Sequence, residues 1–158
     1  MTMTRRQFLQ ETTRSISGLV LLTAVPTVLR AQHWANCQSG KQVVPFTQLN
    51  STTKIARFSD WHEGDCEMQG ASLTLQSNGT GVFQSQVCTH FTHSKDIWHF
   101  YVELAVDQNS SKLLTSYSWD GPKMSEQDQP LYHPWKANFR IPTGVFASAR
   151  YARATSCC

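Results

Sequence analysis

Apolar and polar residues alternate along much of the chain after Lys54, and this period of two limits the fold more than any other feature. The clearest case is residues 97–106, where one face carries Trp98, Phe100, Val102, Leu104 and Val106. Successive side chains of a strand point to opposite faces, so this pattern predicts a strand with one buried face. The alternation recurs at residues 71–75, 83–87, 113–119, 135–141 and 145–151, whereas no window keeps the 3.6-residue period of a helix.

Short turn signals separate these segments and indicate antiparallel strands. Asn78-Gly79 supplies the positive φ angles of a tight hairpin, and clusters at residues 107–111 and 120–122 predict further strand ends. The sequence therefore predicts an all-β fold of about seven strands over residues 54–158, as a single small antiparallel barrel or a two-sheet sandwich. The polar residues 32–53 are expected to form a linker or a loosely docked arm.

The first 31 residues have the organisation of an export signal. They begin with a basic region, continue with an interrupted apolar stretch over residues 16–29 and end on the small residue Ala31. The stretch is too short for a spanning helix, which needs about 20 apolar residues. Residues 4–9, Thr-Arg-Arg-Gln-Phe-Leu, resemble the bacterial twin-arginine signal. That resemblance implies a cleaved signal, a protein that is periplasmic or secreted, and membrane contact only through the export machinery.

The charge of the chain lies largely in that segment. Four of the 14 basic residues and one of the 11 acidic residues precede residue 32, so the rest of the chain carries equal numbers of each sign. Nucleic-acid binding generally uses a concentrated basic surface. We therefore expect no nucleic-acid partner.

Five cysteines follow the predicted signal: Cys37, Cys66, Cys88, Cys157 and Cys158. Outside the cytoplasm cysteines are usually paired, but the sequence does not decide between the possible pairings of an odd number. A bond between the adjacent Cys157 and Cys158 would be strained, because neighbouring Cα atoms lie only about 3.8 Å apart. We expect Cys66 to bond either Cys157 or Cys158, and Cys37 to bond Cys88. A remaining thiol would permit a disulfide-linked dimer.

A second resemblance covers residues 57–158. The segment 60–68 reads D-W-H-E-G-D-C-E-M and is followed by Asn78-Gly79-Thr80 and then by Asp96-Ile97-Trp98. This is similar to a family of small secreted bacterial domains of unknown function, in which W-x-x-G-D-C-x-M precedes an N/D-G-T hairpin and the domain ends in a cysteine. The resemblance implies an all-β fold and a bond from Cys66 to the C-terminus. It implies no activity.

The most metal-like segment contains Cys88, His90 and His93. A thiolate and two imidazoles are ligands that suit zinc and related metals. The alternative is a polar loop in which Cys88 forms a disulfide.

A second group of candidates has residue types used in acid–base catalysis. His62, Glu63 and Asp65 lie in one predicted turn, and Glu103 on a polar strand face is the carboxylate that would complete a glycosidase-like pair. The alternative is ordinary turn chemistry, in which the carboxylates accept backbone hydrogen bonds.

The aromatic residues suggest a ligand groove. Tyr101, Trp119, Tyr132 and Trp135 are the expected lining, suited to a small apolar molecule, a glycan or a peptide. The sequence contains no G-x-S-x-G, H-E-x-x-H, P-loop or dinucleotide motif.

Taken together, these features favour an exported, disulfide-bonded β domain that acts as a non-catalytic binding or interaction module without a cofactor. Its partner would be a small molecule, a glycan or a protein. The alternatives are a small secreted hydrolase or metal-dependent enzyme, and a secreted toxin or effector.

Overall fold

The structure is a computed structural model that describes residues 40–90, 96–109, 112–124 and 131–158. These residues lie within one compact unit, Cys37–Cys158. They form ten strands and one short helix: β1 (Gln42–Pro45), β2 (Thr47–Asn50), β3 (Thr53–Arg57), β4 (Trp61–Glu63), β5 (Cys66–Gln76), β6 (Thr80–Thr89), β7 (Ile97–Ala105), β8 (Leu113–Lys123), β9 (His133–Arg140), α1 (Val145–Ser148) and β10 (Tyr151–Cys157). Within the described residues, no helix is of a length and apolarity to cross a membrane.

The strands are arranged in two antiparallel sheets, which confirms the all-β prediction in its two-sheet form. One sheet has the order β1-β10-β7-β8, and the other has the order β2-β3-β5-β6-β9 with β4 paired to β5. Strands β1 and β2 lie in the segment expected to be a linker or arm, and each pairs with a strand of one sheet. Such four-residue strands are too short for alternation to reveal them.

The core lies between the two sheets and contains the side chains that the alternation assigns to inner faces. Trp98, Phe100, Val102 and Leu104 of β7 are fully buried, and Phe83 of β6 stacks on Phe100 with ring centroids 4.2 Å apart. Burying one such side chain contributes about 1.5–3 kcal/mol. This rigid core fixes the outward residues of the same strands.

Aromatic contacts also join the edge strands β8 and β9, which belong to different sheets. The ring of Phe139 lies 4.5 Å from that of Tyr117 and 5.0 Å from that of Trp119, and the Tyr117 hydroxyl donates to the Arg140 carbonyl at 2.8 Å. Phe139 also packs directly over Gly81, its cross-strand partner on β6. These contacts join the two sheets along that side of the sandwich.

Two predicted strand limits are corrected by the structure. Strand β8 continues through Asp120, Gly121 and Pro122 to Lys123. A proline is tolerated there because β8 is an edge strand, paired only with β7, and the pairing register shifts between Ile97 and His99 of β7.

The second correction concerns residues 145–151, which were predicted to be strand. Residues Val145–Ser148 form α1, and the last strand begins only at Tyr151. The preceding Gly144 has a φ of 84°, which redirects the chain into the helical turn. The buried ammonium of Lys54 then donates to the carbonyls of Phe146 and Ala149, at 2.5 and 3.0 Å.

The disulfides agree with one expected pairing and correct the other. Cys66 is bonded to Cys158, with Cα atoms 6.3 Å apart and 92 positions between them in sequence. Cys157 is also disulfide-bonded. The predicted bond from Cys37 to Cys88 is wrong, because Cys88 is a fully buried thiol outside any disulfide. Cys37 itself lies outside the described residues.

Candidate functional site

The outer face of the six-stranded sheet carries a row of titratable side chains that crosses three strands. His62 of β4 pairs with Glu67 of β5, and Glu67 pairs with Cys88 of β6. The neighbouring Cys66 and Met68 point into the core, so Glu67 points outward. The pairing therefore holds an imidazole, a carboxylate and a thiol side by side.

A bulge in β5 produces this alignment. The register of β5 against β6 shifts between Gln69 and Ser72, around Gly70, whose φ is 61°. In an uninterrupted hairpin Met68 would face Cys88, because the register shifts by one residue at the bulge. The bulge thus places the carboxylate of Glu67 opposite the thiol.

His90 adds a second imidazole immediately after β6. Its backbone N–H donates to the Asp65 carbonyl at 2.7 Å, which fixes the chain after the strand. Its Nε2 lies 3.2 Å from Oε2 of Glu67 and 3.8 Å from Sγ of Cys88. The thiol is fully buried, whereas 46% of the His90 side chain is exposed, so the cluster opens to solvent on the histidine side.

Two further side chains hold the Glu67 carboxylate in place. The Tyr132 hydroxyl donates to Oε2 at 3.0 Å, and the Gln69 amide donates to Oε1 and, at 2.9 Å, to the Tyr132 oxygen. The bond from Gln69, together with those from His90 and Tyr132, lowers the pKa of Glu67. Desolvation and the hydrogen bond to Glu67 raise the pKa of Tyr132 to about 12, so this hydroxyl stays a donor at neutral pH.

The geometry of Glu67, Cys88 and His90 suits a shared ion better than a proton relay. In a nucleophilic triad the nucleophile and the carboxylate use different ring nitrogens, but here both approach Nε2. The three donor atoms lie within 4.8 Å of one another. Zinc bond lengths in a tetrahedron place nitrogen about 3.3 Å from oxygen and about 3.6 Å from sulfur. The observed separations of 3.2 and 3.8 Å are close to both values.

The structure brings together Cys88 and His90 of the predicted metal set, while His93 lies outside the described residues. Cys66, Asp96 and Cys158 also place donor atoms within 4.8 Å of one another. Two of those donors are joined in the disulfide, so that group offers no thiolate.

The predicted acid–base residues have separate environments. Glu63 accepts the Cys158 backbone N–H at 3.0 Å, and Asp65 lies in the β4–β5 turn. Glu103 belongs to the outer face of the four-stranded sheet, where it lies 3.4 Å from Arg153. The core separates Glu103 from His62, so these residues form no common cleft.

The four predicted groove aromatics occupy three places. Trp119 and Trp135 both contact Phe83 in the sandwich interior, at 5.5 and 4.9 Å between ring centroids. Tyr101 lies on the outer face of the four-stranded sheet and donates to Glu103. Tyr132 lies beside Glu67, in the candidate site.

Sequence reasoning missed Glu67 and Gln69. Both belong to β5, and their alternation with buried neighbours indicates exposure but carries no chemical signal. The available clue was distance along the hairpin: counting outward from Asn78-Gly79 brings residues near 67 and 68 opposite Cys88.

Comparison with known proteins identifies a family to which the chain is similar. A profile described as "Family of unknown function (DUF6294)" matches residues 72–158, more than half of the chain. No curated protein and no solved structure matches the chain.

Proposed function

Because the chain belongs to the family of unknown function DUF6294, we propose a function from its own site: a non-catalytic binding module that holds a divalent transition metal ion such as Zn²⁺. Glu67, Cys88 and His90 would be the ligands. The observation that carries the proposal is that their donor atoms all lie within 4.8 Å of one another, with nitrogen–oxygen and nitrogen–sulfur separations close to those of a zinc tetrahedron.

The donor types narrow the choice of metal. A thiolate with an imidazole and one carboxylate suits a borderline ion such as Zn²⁺ and is a poor set for Mg²⁺ or Ca²⁺, which take oxygen ligands. The bonds from Tyr132 and Gln69 orient the carboxylate, as second-sphere partners commonly do at metal sites.

A small metal-dependent hydrolase is the second candidate. Three protein ligands leave a fourth position for water, which is the arrangement of hydrolytic zinc sites. The exposed His62, directly across from Glu67, is the side chain available as a base. Hydrolysis of an activated ester that requires both zinc and His62 would favour this function over simple binding.

Export of the domain is part of the proposal. The resemblance of residues 4–9 to a twin-arginine signal supports it, and so does the Cys66–Cys158 bond, because disulfides persist in oxidising compartments. Burial of Cys88 is compatible with such a compartment, since a buried thiol is poorly accessible to oxidants.

The test is a metal titration of the full chain with its disulfides intact. After chelator treatment, calorimetry with Zn²⁺ should give one ion per chain, and Co²⁺ should show a thiolate charge-transfer band. Each of Cys88→Ser, His90→Gln and Glu67→Gln should weaken zinc binding at least about tenfold, whereas the matched control His62→Gln should keep it. Absence of zinc binding, or unchanged binding by Cys88→Ser, would refute the proposal.

A further inference from the structure

A second feature of the six-stranded sheet is a depression of about 440 Å³ on its outer face, in the size range of small-molecule sites. It crosses β5, β6 and β9. Its lining residues are Gln69, Gly70, Gln84, Ser85, Gln86, Pro134, Trp135 and Lys136. Of these only Gln69 also contacts the metal cluster, so the depression is a separate site.

The depression lies beside the bulge of β5, and Gly70 is one of its lining residues. A Cβ placed on this glycine would meet nothing within 4 Å, so the missing side chain leaves open space. The positive φ of Gly70 is held by a hydrogen bond from its N–H to Asp60 Oδ1 at 3.0 Å. This bond holds the bulge that borders the depression.

The lining is rich in neutral polar groups. Each of its three glutamines carries both donors and an acceptor. The Ser85 side chain points toward the core, in phase with Phe83 and Val87, so only the glutamine side chains offer polar groups from β6. Pro134 adds apolar surface and Lys136 a cation, whereas the ring of Trp135 packs on Phe83 in the core. No carboxylate is among the described residues that line the depression.

We propose that this depression binds a saccharide. A sugar presents closely spaced hydroxyls, each a donor and an acceptor, beside patches of C–H surface, and the amides of Gln84 and Gln86 with the apolar surface of Pro134 match that combination. An extended peptide is less well matched. Strand addition, a common mode for an extended peptide, needs a free sheet edge, whereas this depression lies on a face where the β6 backbone is paired with β5 and β9.

The binding test follows the side-chain amide signals of Gln84 and Gln86 by ¹⁵N NMR in the full chain. The probes are cellotetraose, chitotetraose and tetragalacturonate at millimolar concentration, each compared with a tetraglycine peptide. At least one saccharide should shift both amides along a saturating curve, and the peptide should not. Shifts from the peptide alone, or none with any saccharide, would overturn the proposal.

Filling the depression provides the matched variant. Gly70→Asn introduces a side chain that tolerates positive φ into the open space and should weaken saccharide binding at least tenfold. Gly64→Asn is the control, because Gly64 also has positive φ and open space but does not line the depression. Equal binding by the two variants would overturn the assignment of the site. We expect Cys88→Ser to keep saccharide binding, because Cys88 does not line the depression. Failure of the metal proposal and failure of the saccharide proposal can therefore be told apart.

Discussion

The contact between Gly81 and Phe139 allows a quantitative prediction for Gly81→Ala. A Cβ on Gly81 would lie 2.2 Å from Cζ of Phe139, and 2.4 and 2.8 Å from Cε2 and Cε1. Ordinary carbon contacts are about 3.5–4.0 Å. The ring therefore has to retreat by more than about 1 Å, away from Gly81.

The cost has two parts. Overpacking of this kind costs about 1–3 kcal/mol, and the displaced ring weakens its contacts with Tyr117 and Trp119, each worth about 0.5–1.5 kcal/mol. Replacing glycine also restricts the unfolded chain, which offsets about 0.4–1 kcal/mol. We expect Gly81→Ala to lower the free energy of unfolding by about 2–3 kcal/mol.

A double-mutant cycle in urea, followed by tryptophan fluorescence, isolates this contact. In a Phe139→Ala background the alanine at position 81 meets no ring, so the substitution should be neutral or slightly stabilising, with a coupling of at least about 2 kcal/mol. Gly40→Ala is the control for glycine replacement alone, because its Cβ meets nothing within 4 Å. An equal cost of Gly81→Ala in both backgrounds would refute the steric argument.

Two further predictions concern the Cys66–Cys158 disulfide and the buried side chain of Lys54. The double variant Cys66→Ala/Cys158→Ala releases a link between residues 92 positions apart, so its free energy of unfolding should fall by about 2–4.5 kcal/mol. An unchanged urea midpoint without reductant would contradict this. Lys54 has a pKa lowered by desolvation and by the nearby Arg150, so the unfolded chain binds more protons between the lowered pKa and the ordinary value. The contribution of Lys54 to the free energy of unfolding therefore rises as the pH increases from the lowered pKa to the ordinary pKa of lysine. Lys54→Met should remove this rise while leaving the Phe146 and Ala149 carbonyls without their donor. The test compares the urea midpoints of the unsubstituted protein and of Lys54→Met, each measured at about pH 8 and about pH 10. Tyrosine ionisation is common to both chains and cancels, and parallel pH profiles would contradict the assignment.

The sequence predicts those parts of the fold that depend on local pattern. The alternation along β7 and the Asn78-Gly79 signal each identify structure from adjacent residues alone, and the strand and the hairpin both appear. Of the two turn residues only Gly79 has the expected positive φ. The pattern fails at α1, because Val145, Ala147 and Ala149 alternate like a strand although Gly144 starts a helical turn.

The candidate site could be predicted only in part, for a related reason. Cys88 and His90 stand close together in the sequence, so their pairing is visible there. Glu67 joins them only through strand register, and that register depends on a one-residue shift whose position the sequence does not mark. A contact set by long-range pairing carries no signal in local composition.

The bulge at Gly70 has a consequence for how this family of chains can change in length. Before it, the inward positions of β5 are Cys66 and Met68, and after it they are Leu73 and Leu75, so even and odd positions exchange roles within one strand. Deleting Gly70 would restore an unbroken alternation through Met68, Ala71 and Leu73 and would leave Glu67 opposite Cys88. One residue can therefore be lost at the bulge without changing the pairs on either side of it. The bulge is thus a position where the number of residues between Glu67 and Cys88 can fall by one while the carboxylate stays opposite the thiol.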